Sequence, residues 1–179
     1  MRALRFLVAA GVGLLAAPWA PAGQAATSAV DPAPAPQIEV QARDGSRVRL
    51  ADFRGKVVLV DFWASWCGPC KNSFPALDEL YRELHPRGLE VLAVNVDERR
   101  DDAEEFLRAR PHQMLVVFDP KGRAPEAFGV DAMPSSYLID RQGRIRFVHM
   151  GFPAGTEAAY RREIDLLLAE AGPGASPGQ

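Results

Sequence analysis

The sequence predicts an α/β fold, a single mixed sheet covered by helices on both faces. Three observations carry this expectation. Residues 57–63, 89–96 and 114–118 are short runs rich in Val, Leu and Phe without clean polar alternation, as expected of strands buried on both faces of a parallel sheet. The segments between them place apolar residues at helical spacing. Last, Arg141-Gln142-Gly143-Arg144 separates two further strand-like runs, residues 136–140 and 145–150, which reads as an antiparallel hairpin before a final helix.

A chain of 179 residues leaves room for one domain. Its 47% hydrophobic and 25% charged content is that of a globular protein and excludes collagenous and polytopic membrane classes. With 21 Lys+Arg against 23 Asp+Glu there is no basic excess, so nucleic acid is not an expected partner. Two cysteines rule out a disulfide-stapled scaffold.

The elements follow in order. Arg2 and Arg5 precede an apolar stretch over residues 6–17, and small residues follow Pro18, the layout of a secretory signal peptide. Residues 1–25 are expected to be that leader, with cleavage after Ala25 or else Ala22. The alternative is retention as an anchor, for which about twelve apolar residues fall short of the roughly 20 a span needs. No membrane span is expected after cleavage. Residues 26–36, rich in Pro and Ala, read as an extended linker. The domain is expected over 37–171, and residues 172–179 as a disordered tail.

Inside the domain, residues 38–42 and 47–50 flank Asp44-Gly45-Ser46, an N-terminal hairpin. After the strand at 57–63 a helix should open near Cys67 and run towards His85, with Phe74, Leu77, Leu80, Tyr81 and Leu84 on one stripe and Pro75 removing one backbone bond. The strand at 89–96 leads to a helix over 101–110 with acidic residues in its first turn. A short helix near 125–128 follows the strand at 114–118. The last helix, residues 156–170, buries Tyr160, Ile164, Leu167 and Leu168.

Trp66-Cys67-Gly68-Pro69-Cys70 lies between the end of a buried strand and the start of a helix. Two intervening residues let the sulfurs meet within the first helical turn. There the first sulfur faces unpaired backbone N–H groups and the positive end of the helix dipole. Such placement lowers a cysteine pKa to roughly 3.5–7.5, which makes Cys67 the expected nucleophile. Cys70 would resolve a mixed disulfide by attacking Cys67. A zinc site needs about four ligands; there is no second cysteine pair, and His85, His112 and His149 are scattered. Neither a metal nor a cofactor is therefore expected beyond the redox-active disulfide. A purely structural bridge would close so short a loop that its entropic stabilisation is smallest.

Asp61 is the other informative residue. A carboxylate inside VVLVDFW is costly to bury, because desolvation disfavours its charged form. Either it points to a solvated edge, or it sits beneath the cysteine turn as a general acid/base for Cys70. The second reading is preferred. Met133-Pro134 precedes a strand, a place where a cis bond is accommodated, although bare X–Pro bonds are cis only about 5–6% of the time. Trp63 and Trp66 flank the turn, and Trp63 is accounted for by packing alone.

These residues resemble the thioredoxin superfamily: VVLVDFWASWCGPC, a proline five residues after Cys70, and MPSSYLID match in order and spacing over nearly all of residues 37–170. The resemblance implies a thioredoxin-like mixed sheet. It also implies a cis Pro134 beside Cys67, with Trp66, Gly68, Pro69, Met133 and Pro134 forming a groove for a substrate chain. The leader, LADFRGKVVLV after the hairpin, and a central strand-helix insertion around residues 90–110 are similar to the exported TlpA/ResA-like group, some of whose members serve cytochrome c maturation and others copper-site assembly. Two departures stand out. The position three after the second cysteine, acidic in members similar to ResA, is Ser73 here. The lysine that thioredoxins place near the buried aspartate is matched by Ala93.

The expectation is a periplasmic thiol-disulfide oxidoreductase that reduces protein disulfides, recharged by a membrane thiol-relay electron donor. The same residues with the opposite resting state would make a disulfide oxidase or isomerase. Soft thiolates would also suit a dithiol chaperone for copper(I).

Overall fold

In the computed structural model, residues 27–172 are described. Eight strands form one sheet: β1 (Thr27–Pro34), β2 (Glu39–Ala42), β3 (Arg47–Arg49), β4 (Val57–Trp63), β5 (Leu89–Asn95), β6 (Leu115–Phe118), β7 (Ser135–Ile139) and β8 (Arg144–Met150). Four helices accompany them: α1 (Cys70–Leu84), α2 (Arg100–Arg108), α3 (Arg123–Phe128) and α4 (Thr156–Ala169). The sheet order is β1-β8-β7-β4-β5-β6-β2-β3. β4 pairs parallel with β5 and antiparallel with β7, so the sheet is mixed, as expected.

Every residue of β4 and of β5 is buried, which explains why neither run alternates. Val57, Leu59 and Trp63 point to one face and pack with Phe74, Leu77 and Leu80 of α1, Phe106 of α2, and Tyr160, Ile164 and Leu167 of α4. Val58, Val60 and Phe62 point to the other, against Ala124 and Phe128 of α3 and Val40 of the hairpin. Strand alternation therefore places Asp61 on the α1/α4 face, between Leu59 and Trp63. Trp63 stacks on Phe106 (centroids 4.7 Å apart) and meets Phe74 edge-on at 5.1 Å, so packing accounts for it.

The turn from α1 into β5 needs Gly88. Its φ of +104° is open to glycine, and its carbonyl accepts the Val57 N–H, tying the starts of β4 and β5 together. Asp78, buried in α1, accepts the Gln113 and Met114 N–H groups at 2.6 and 3.0 Å, which locks the helix to the approach to β6.

Two boundaries differ from the sequence reading. Residues 27–34, assigned to the linker, are β1, an edge strand paired antiparallel with β8. Pro32 and Pro34 are tolerated because an edge strand needs only half its ladder, and the pairing register shifts between Ala29 and Ala33. Ala35 continues the attachment by donating its N–H to Gly143 O, and it is buried. Among the described residues the sheet thus begins at Thr27, ten residues before residue 37. In addition, α1 starts at Cys70 with Pro69 as its N-cap, so Cys67 lies in the turn before the helix. Residues 1–26, with the predicted leader, and residues 173–179 of the predicted tail lie outside the described residues.

Candidate active site

The turn that carries the cysteines grows out of the buried end of β4 and is held from below. Asp97, itself buried, accepts the Ser65 N–H at 2.9 Å, the Ser65 hydroxyl at 2.9 Å and the Asn95 amide at 2.7 Å. Cys67 donates its N–H to Ala64 O, and Val96 donates to Trp63 O. These bonds fix the chain direction before Cys67, and none of Ser65, Asn95 and Asp97 was singled out from sequence. Their signal is a pair of short polar residues, Asn95 and Asp97, at the C-terminal end of a buried strand, the usual location of sites in parallel sheets.

Cys67 and Cys70 form a disulfide with Cα atoms 5.3 Å apart. The Cys70 N–H points at the Cys67 sulfur, 3.2 Å away. Cys70 is fully buried, and Cys67 is 4% exposed. The expected asymmetry is present: the first sulfur borders the surface and meets the helix N-terminus, while the second lies beneath. Ser73 is buried and donates its hydroxyl to the Cys70 carbonyl at 3.4 Å.

Trp66, Cys67, Gly68 and Pro69 form one wall of an open groove of about 450 Å³ whose other wall is Val130, Asp131, Ala132 and Met133. Trp66 is 70% exposed, which is unusual for so large an apolar side chain. The Met133–Pro134 bond is cis. The loop is pinned on both sides, by the Ser135 hydroxyl donating to Ala132 O and the Gly151 N–H donating to Pro134 O, each at 2.7 Å. The structure thus brings Trp66, Gly68, Pro69 and Met133 together around Cys67, with Pro134 following Met133 through the cis bond.

Asp61 is completely buried, which removes the solvated-edge alternative. Its register partner on β5 is Ala93, which has no polar group to offer, and on β7 it is Ser136. The Ser136 hydroxyl donates to Asp61 Oδ1 at 2.6 Å and also meets the Tyr160 hydroxyl at 2.6 Å. Burial pushes the Asp61 carboxyl up to about 7, against the downward pull of the Ser136 bond. Burial likewise pushes the Tyr160 phenol upward, with the Asp61 charge adding to it. Ser136 and Tyr160 were read from sequence only as a strand residue and as part of an apolar helix stripe. A serine inside a strand buried throughout was the available signal. Among the described residues no group of three His, Cys, Asp or Glu is placed to hold a metal ion.

A disulfide formed by the chain's own residues can accept two electrons, and Cys67 lines an open groove. Fold and turn together define a thioredoxin-like thiol-disulfide oxidoreductase. The chain belongs to the AhpC/TSA family, whose model matches residues 32–148. It is 35% identical over 117 residues to thiol-disulfide oxidoreductase ResA of Geobacillus thermodenitrificans, covering 65% of this chain and 67% of that protein. With ResA of Bacillus subtilis it shares 32% identity over 133 residues, 74% of this chain and 73% of that one. The chain spans between 64% and 73% of the length of such ResA relatives. A crystal structure from Chlorobium tepidum, provisionally assigned as thiol:disulfide interchange protein DsbE, superimposes with a TM-score of 0.75 at 40% identity, over 79% of this chain and all of that one. The lipoprotein thioredoxin Etrx1 of Streptococcus pneumoniae matches with a TM-score of 0.64 at 30% identity, over 73% of this chain and 99% of that one.

Proposed function

We propose that the protein is an exported reductase of protein disulfides, working in the periplasm with Cys67 as nucleophile, Cys70 as resolving cysteine and Asp61 as acid/base. The observation that carries this reading is the asymmetry of the pair: Cys67 borders the Trp66–Met133 groove and receives the Cys70 N–H, while Cys70 is fully buried on the sheet face that also holds Asp61.

In the dithiol form the Cys67 thiolate attacks a client disulfide. A Cys67–client bond forms, and the client's other sulfur leaves as thiolate. The Cys70 thiol then gives its proton to the Asp61 carboxylate and attacks the Cys67 sulfur. The Cys67–Cys70 disulfide forms and the second client sulfur departs, so the client gains two electrons and the protein loses two. A carboxyl poised near 7 can both take and return that proton at neutral pH. No cofactor enters the sequence of steps.

The reducing direction rests on the Gly68-Pro69 pair, which resembles thioredoxin, and export rests on the leader-like order of residues 1–25. Among the described residues no helix is long and apolar enough to cross a membrane. Electrons would reach the protein from a membrane thiol relay, since the compartment lies beyond cytoplasmic NADPH. Thiol trapping in intact cells tests the reading: mostly reduced cysteines support a reductase with a dedicated donor, and mostly oxidised cysteines favour an oxidase. A Cys70→Ser variant should accumulate clients linked through Cys67.

A further inference from the structure

Asp61 is fully buried yet has one oxygen, Oδ2, without a hydrogen-bond partner, while the other, Oδ1, receives the Ser136 hydroxyl. Ser136 Oγ has a single proton, and with Asp61 ionised that proton is committed to Oδ1. The 2.6 Å contact to Tyr160 must then be donated by the phenol. The polarity of the chain is therefore set, running from Tyr160 of α4 through Ser136 of β7 to Asp61 of β4. We propose that Ser136 and Tyr160 are positioning residues for Asp61, a two-hydroxyl relay that orients the carboxyl and leaves Oδ2 as the oxygen that exchanges the proton.

The physical case is a comparison of alternatives. A buried carboxylate without any donor would hold its proton at neutral pH and would be a poor base there. A full cationic partner would hold it ionised and equally useless as an acid. Ala93, directly across β5, supplies no charge. Two hydroxyls give an intermediate result: they stabilise the ionised form without adding a charge, and Tyr160, buried and held neutral, never stops donating. Other titratable groups packed around the relay are His149 of β8, whose ring lies 4.5 Å from that of Tyr160, and Glu163 of α4, 2.6 Å from His149 Nε2. On α1 it is Cys70 itself, which shares the core cluster of Tyr160.

The inference rests on the acid/base reading of Asp61, and the experiment separates the two. In the full chain, the Asp61 carboxyl is titrated by carbon-13 NMR in the parent, Ser136→Ala, Ser136→Thr and Tyr160→Phe proteins. The relay predicts a midpoint about one pH unit higher for Ser136→Ala, a smaller upward move for Tyr160→Phe, and a return close to the parent value for Ser136→Thr. Midpoints that stay in place or move downward overturn it. If Ser136→Ala does not fold, Tyr160→Phe decides on the same criterion, since it removes one oxygen and keeps the ring. The pH profile for reduction of a model disulfide is recorded alongside with Asp61→Asn. A pH profile in Asp61→Asn that coincides with the parent's rejects the acid/base role itself, since only the limb owed to the Cys67 thiol should remain there, whereas the NMR midpoints judge the relay.

Discussion

The backbone N–H of Cys70 donates to the sulfur of Cys67 across 3.2 Å, at the point where α1 begins. In the reduced protein this donor, with the helix dipole behind it, stabilises a thiolate on Cys67, while Cys70 lies fully buried in the apolar cluster on the Asp61 face of the sheet. Iodoacetamide at pH 7 should therefore modify Cys67 at least ~10-fold faster than Cys70, read by mass spectrometry of the reduced protein. Equal rates would remove the assignment of nucleophile and resolving cysteine.

Asp61 links redox chemistry to stability. Its carboxyl has an ordinary pKa of 3.8 and is raised to about 7 in the folded protein, so between these values the native state binds the extra proton. Stability from this group is complete below about pH 4 and is lost as pH rises through 7. Asp61→Asn carries no such dependence. Urea unfolding across pH 4 to 8 should show the variant gaining on the parent by an amount of the order of 4 kcal/mol in total, near 1.4 kcal/mol per pH unit. A constant difference would mean that Asp61 does not titrate in this window.

Trp66 has little to lose from removal as far as the fold is concerned, because 70% of it is exposed. Trp66→Ala should change unfolding free energy by less than about 0.5 kcal/mol. If the groove holds the client chain, the same change should lower kcat/KM for a protein disulfide by about 5- to 10-fold. A small dithiol-exchange reagent, which does not span the groove, should be affected far less.

Asp97 supports the turn without touching the sulfurs. Asp97→Ala strands the Ser65 N–H and hydroxyl and the Asn95 amide in a half-buried corner. A loss of about 2–3 kcal/mol is expected by chemical denaturation, with Asp97→Asn recovering part of it.

Much of this was legible in the chain. The buried strands announced themselves because Val57 to Trp63 has no polar alternation to disguise it, and the cysteine turn because two sulfurs at that spacing have few other uses. The N-terminal segment misled for a physical reason. Proline and alanine read as an isolated extended chain, and nothing local reveals that β8 leaves an unpaired edge for residues 27–34 to fill. Ser136 and Tyr160 were hidden for a related reason. Their chemistry depends on Asp61, Ser136 and Tyr160 converging from β4, β7 and α4, and a hydroxyl on an apolar stripe looks like packing until its partner is known.

The placement of β1 also fixes the level of the sheet at which Thr27 lies. Thr27 pairs with His149, His149 with Ser136, and Ser136 with Asp61, so the first described residue lies in the same row of the sheet as the buried carboxyl. Three strand spacings of roughly 4.8 Å separate them, about 14 Å. Met150, 52% exposed, follows in the same corner beside Ser135. Thr27 therefore lies towards the end of the sheet that bears the reactive sulfur, so a tag or cross-linker attached at this first described residue would sit on the level of the active site rather than at the opposite pole.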